Sequence, residues 1–109
     1  MISVKCPYDI PQSVLKKLSS IIAETIGKPE QYVMAVASHA NVMMSGSTDA
    51  AAFVEVQSIG GLSPEINRNL SGKICGLLQD NLHIPAGRIY ITFQPFTADA
   101  WGCNGSTFA

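Results

Sequence analysis

Charge is scarce in this sequence. Only 14% of its 109 residues are Asp, Glu, Lys or Arg, against 47% apolar. So short a chain forms one domain, 1–109, whose surface is large relative to its core. A surface that large with so little charge implies that part of it is covered by copies of the same chain. Basic residues are few and dispersed: seven Lys and Arg in all, Lys16-Lys17 the only adjacent pair, and a net charge of −1. That pattern argues against nucleic acid as a partner. No run approaches the roughly 18 apolar residues of a membrane span. The opening Met1-Ile2-Ser3-Val4-Lys5-Cys6 lacks the order and length of a signal peptide. Residence in the cytoplasm is therefore the default, with export independent of a signal peptide as the alternative. Cysteine is sparse as well. Cys6, Cys75 and Cys103 are odd in number and far apart, as free thiols in a reducing compartment would be. Neither His39 nor His83 has the neighbours a zinc site requires, so no metal or cofactor is expected.

What is present falls into two similar halves. Residues 2–6 (ISVKC) alternate in the period of a half-buried strand. A turn between Pro7 and Pro11 follows, and Pro11 is placed to open a helix. Val14, Leu15, Leu18, Ile21, Ile22 and Ile26 form that helix's apolar stripe, and Gly27 before Pro29 ends it. Residues 32–37 (YVMAVA) carry strand formers. After a loop over residues 38–50 the order repeats. Residues 52–59 (AFVEVQSI) make a strand, broken by Gly60-Gly61. Ser63, Pro64 and Glu65 are a helix start with cap, first-position proline and first-turn acid. Ile66, Leu70, Ile74, Leu77, Leu78 and Leu82 mark the second buried stripe, and residues 89–93 (IYITF) the fourth strand.

Two strand–helix–strand units, each with a crossover long enough for parallel pairing, predict an α+β domain. It has one four-stranded mixed sheet and both helices on one face. The opposite face is too apolar for water, which again calls for other subunits. The tail from residue 101 onward, with Trp101 and Phe108, is expected to pack on a neighbour. Taken alone, Lys28 is a solvated cation at a helix end, Cys75 a small buried hydrophobe, and Gly60-Gly61 a strand-ending turn. His83 suits the end of the second helix; His39 has no evident partner.

Six segments together resemble the macrophage migration inhibitory factor family of the tautomerase superfamily. They are Gly27-Lys28-Pro29-Glu30-Gln31-Tyr32, Gln57-Ser58-Ile59-Gly60, Asn67-Arg68, Cys75-Gly76-Leu77-Leu78, Arg88-Ile89-Tyr90-Ile91 and Asn104-Gly105-Ser106-Thr107-Phe108. They match in order and nearly in spacing. The resemblance implies a homotrimer with active sites between adjacent subunits. It also implies an intramolecular isomerase of the phenylpyruvate or dopachrome type, acting on small aromatic keto acids. By the same resemblance Lys28 is the cation for the substrate carboxylate and Ile59 contacts substrate through its backbone. Tyr90 is a pocket aromatic from the neighbouring subunit. Thr92 stands where well-known members have asparagine; Trp101 and Phe108 line the cleft, and Cys103 stands where many members have tryptophan.

Two departures matter. The family's redox Cys-x-x-Cys is replaced by Ala51 and Val54. The amino-terminal proline that serves the family as base is also missing, and Met1 aligns one position after it. Pro7 and Pro11 carry amide nitrogens and cannot replace it. Either an upstream Met-Pro precedes this sequence or the base has been lost. The expectation is an impaired tautomerase, or alternatively a non-catalytic, cytokine-like protein that binds a partner or receptor.

Overall fold

A computed structural model describes residues 1–109. The chain runs β1 (Ile2–Cys6), α1 (Gln12–Ile26), β2 (Ala35–His39), β3 (Ala52–Ile59), α2 (Pro64–Leu82) and β4 (Ile89–Phe96). It ends in a small hairpin of β5 (Gly102–Cys103) and β6 (Ser106–Thr107). The sheet order is β2-β1-β3-β4. β1 runs parallel to β2, β3 runs parallel to β4, and the two units meet antiparallel between β1 and β3. The mixed four-stranded sheet and two helices are those predicted by the repeat.

The alternation in the strands decides which face is covered. Ile2, Val4 and Cys6 of β1 and Ala52, Val54 and Val56 of β3 are buried. They pack against Val14, Leu18 and Ile22 of α1 and Leu70, Ile74 and Leu78 of α2, completed by Ile84 and Ile89. Both helices therefore lie on one face. The odd-numbered positions of β1 and β3 share the open face with the even-numbered ones of β4. There Ser3 pairs with Glu55, Lys5 with Phe53, Phe53 with Tyr90 and Glu55 with Thr92. Lys5 and Glu55 also form an exposed ion pair at 3.8 Å.

Local chemistry sets the helix ends. Ser63 accepts a hydrogen bond from the Ile66 amide, and Pro64 occupies the first turn, where its missing N–H costs nothing. Gly27 closes α1 in the left-handed conformation, its N–H donating to the Ala23 carbonyl. His83 closes α2 with a positive φ of 56°.

Three local features differ from the sequence-based expectation. The second strand begins at Ala35 rather than Tyr32. Glu30–Tyr32 form a 3-10 turn, in which the Tyr32 and Val33 amides donate to Pro29 and Glu30 and are lost to pairing. The fourth strand runs on to Phe96 through Pro95. β4 pairs only with β3, and an edge strand tolerates a proline. His39 has a partner after all: its Nδ1 lies 3.2 Å from Oδ1 of Asp9. No helix is long and apolar enough to cross a membrane.

Candidate functional site

The topology brings five chain segments to one end of the sheet. β1 is antiparallel to β3, so the head of β1 lies beside the tail of β3. β4 is parallel to β3 and ends there too, with Phe96 opposite Ile59. β2 is parallel to β1 and starts at that end, which brings the C-terminus of α1 with it. The chain beyond β4 then turns back through Ala98–Ala100 and the β5–β6 hairpin. At that end lies a half-open cavity of about 340 Å³, bordered by the head of β1, the tail of β3, the end of α1 with the turn after it, and the C-terminal segment.

Its walls are mostly apolar. Ile22 and Ile26 come from α1, Tyr32 and Val33 from the turn before β2, Ile59 from β3, and Ala98, Trp101 and Phe108 from the tail. Trp101 is held edge-on to Phe96, with ring centroids 5.4 Å apart and planes at 87°. The Phe108 amide donates to both the Ala98 and Trp101 carbonyls at 3.2 Å, which fixes the last wall.

Two nitrogens stand out in this apolar setting. The Met1 amine, half-buried, donates to the Gln57 carbonyl at 2.7 Å, while the Gln57 amide donates back to Met1 at 2.9 Å. Burial disfavours its ammonium form, and the positive charge of Lys28 disfavours it further, so its pKa lies below the ordinary 8.0. The Lys28 ammonium donates to the Ile59 carbonyl, leaving two of its three protons for a ligand. Neither nitrogen has a carboxylate partner. An apolar cavity with one fixed cation and one amine of lowered basicity can hold a small organic acid and exchange protons with it.

The structure therefore brings Met1, Lys28, Ile59, Trp101 and Phe108 together. Tyr90 and Thr92 are not in this cavity; they lie exposed on the open face of β4. Cys103 is exposed in the hairpin and lies outside the wall. Ile22 and Ile26 escaped sequence reasoning because they belong to the same apolar stripe as the core residues of α1. Tyr32 and Val33 escaped it because they read as strand. No group of three His, Cys, Asp or Glu side chains is arranged to hold a metal ion. Cys75 is partly buried in α2, where desolvation raises its thiol pKa.

Comparison with known proteins agrees with this architecture. The family model for macrophage migration inhibitory factor (MIF) matches residues 2–109. Macrophage migration inhibitory factor of Rattus norvegicus is 40% identical over 101 residues, 92% of this chain and 88% of that protein. The Brugia malayi homolog is 39% identical over 100 residues, 91% of this chain and 87% of that protein. Among solved structures, the homologue from Prochlorococcus marinus has a TM-score of 0.94 at 41% identity, covering 99% of this chain and 98% of that one. The Toxoplasma gondii protein has a TM-score of 0.93 at 29% identity, covering 98% of each chain. A family match over nearly the whole chain, with relatives at about 40% identity, places it: the chain belongs to the macrophage migration inhibitory factor family.

Proposed function

We propose that this chain is a keto–enol tautomerase for small aromatic keto acids of the phenylpyruvate type, impaired as it stands by the lack of the family's proline base and assembled as a homotrimer. The observation that carries the reading is the pairing of Lys28 with an amine of lowered basicity inside an apolar cavity. The ammonium of Lys28 takes the carboxylate, and Ile26, Trp101 and Phe108 take the aromatic ring. A neutral amine at the head of β1 removes a proton from the carbon alpha to the ketone. The resulting ammonium gives a proton to the carbonyl oxygen, which becomes the enol hydroxyl and restores the neutral amine, and the reverse path regenerates the ketone. Burial and the Lys28 charge both lower the amine pKa from 8.0, which raises the share of the neutral form that a general base requires. In the trimer, the exposed Tyr90 and Thr92 of one subunit reach the cavity of the next, and the open sheet faces cover one another.

The test compares the chain as it stands with one extended by a single proline before Met1, exposed by removal of an initiator methionine. Both should bind phenylpyruvate. The extended protein should tautomerise it faster by roughly 10² or more, the scale of one positioned general base. Equal and high activity would show that the proline is not needed. Binding without turnover in both would favour the alternative, a protein that uses the cavity only for recognition.

A further inference from the structure

Two glycine turns come together where α1 ends, beside cavity residues Ile26 and Lys28. Gly27, with φ of 81°, separates Ile26 from Lys28 at the end of α1. Gly60 and Gly61, with φ of 69° and 78°, connect β3 to α2. Both glycines of the second turn have the backbone that L-residues rarely adopt, yet their surroundings differ. A Cβ at Gly60 would meet nothing within 4 Å. A Cβ at Gly61 would stand 2.6 Å from Cγ2 of Ile26, 3.7 Å from the Ile26 carbonyl oxygen and 3.9 Å from Cε of Lys28.

The 2.6 Å approach cannot be relieved at the tip of a flexible side chain. Cγ2 is bonded directly to Cβ of a β-branched residue, which has one strongly preferred χ1 in a helix. A methyl group at position 61 therefore forces the last turn of α1 and the Gly60-Gly61 turn apart, straining the Lys28 contact that ties them together. Ile26 and Lys28 both line the cavity, and the Lys28 ammonium is tied to the Ile59 carbonyl. We infer that Gly61 is a positioning residue: its bare α-carbon seats Ile26 and Lys28, and so sets both the width of the cavity and the placement of its cation. This rests on the keto-acid site proposed above. It predicts that the acids accepted are limited by how closely α1 approaches the turn at Gly61.

Three variants separate this role from backbone strain. Gly60→Ala and Gly61→Ala impose similar strain, but only the second meets Ile26. Gly61→Ala combined with Ile26→Leu keeps the strain and removes the offending methyl, since leucine has no branch at Cβ. The readouts are the ligand-free Lys28 Cε resonance, thermal stability, and KM for phenylpyruvate. Both single variants should lose stability. Gly61→Ala alone should shift the Lys28 resonance and raise KM by about tenfold or more, as misplacement of a binding group does. The double variant should return resonance and KM toward the values of a chain carrying Ile26→Leu alone, while remaining less stable. Should Gly61→Ala fail to fold, folding of the double variant assigns the defect to the Ile26 contact, and its failure overturns the inference. The inference also falls if the two single variants shift the Lys28 resonance alike, or if Ile26→Leu restores nothing. A parent chain that neither binds nor turns over phenylpyruvate would end the keto-acid reading, while the Lys28 resonance would still decide the role of Gly61.

Discussion

Lys28→Met is the substitution that asks most of the proposed site. Methionine keeps an unbranched apolar stem beside Gly61 and removes only the ammonium. In the structure that ammonium donates to one backbone carbonyl and faces the cavity without a counter-ion. A charge-assisted hydrogen bond is worth about 1.5–3 kcal/mol net. At about 1.4 kcal/mol per factor of ten, its loss weakens carboxylate binding by roughly 10- to 150-fold. Because the carboxylate is not the reacting centre, the contact is made equally in ground and transition states, so KM should rise more than kcat falls. A second effect follows from the neighbouring amine. Desolvation, the larger cause of its lowered pKa, survives the substitution, but the repulsion from Lys28 disappears. The amine pKa should rise toward 8.0 without reaching it, and the acid limb of kcat/KM should move to higher pH. The assay is phenylpyruvate tautomerisation followed by enol absorbance from pH 5 to 9, on the chain carrying its free amine and, in parallel, on the proline-extended protein. An unchanged KM, with the variant folded by circular dichroism, would refute the role given to Lys28.

Other outcomes follow from the same structure. Leu70 is fully buried between helix and sheet, so Leu70→Ala should cost about 2–5 kcal/mol and lower Tm by roughly ten degrees or more. The lowered pKa of the Met1 amine makes stability depend on pH: between its folded value and 8.0 the unfolded chain binds more protons. Stability should therefore rise with pH through that window, with the burial penalty complete below the folded pKa and gone above 8.0. Melting curves from pH 6 to 9, beside an N-acetylated sample that lacks this slope, measure it. Sedimentation at micromolar concentration should give a trimer, and a monomer would leave Phe53, Tyr90 and the sparse surface charge without an explanation.

The fold was legible because its two halves state their periods clearly. Ile2, Val4 and Cys6 alternate, Leu70, Ile74 and Leu78 recur at helical spacing, and Gly27 and the Ser63-Pro64 pair mark helix ends with local chemistry. Errors arose where two local rules compete. Tyr32 and Val33 have strand propensity, but Pro29 sets up a 3-10 turn that consumes their amides. The apolar run of the fourth strand ends at Phe93, yet the strand continues through Pro95, which an edge position accommodates. The site was legible in Lys28, Ile59, Trp101 and Phe108 through family resemblance, not through periodicity. Ile22 and Ile26 were hidden because one apolar stripe serves the core along most of α1 and the cavity wall at its end. Resemblance placed Met1 one position after the family's base, and the antiparallel register of β1 on β3 is what brings its amine to the cavity beside Gln57.

Arg88 has a further consequence, for the order in which the chain is assembled. Its Nε donates to the Ala50 carbonyl, and its Nη2 donates to those of Met44, Ser47 and Asp49. One side chain thus gathers four carbonyls of the segment joining β2 to β3, from a position 38 to 44 residues later in sequence. During synthesis the first helical unit and β3 leave the ribosome well before that guanidinium arrives. At about 5–20 residues per second, the segment spends seconds with those carbonyls turned to water. It closes only when β4 docks beside β3. The turn that leads into β4 therefore does more than join it to α2: it delivers the fastening for a loop made much earlier.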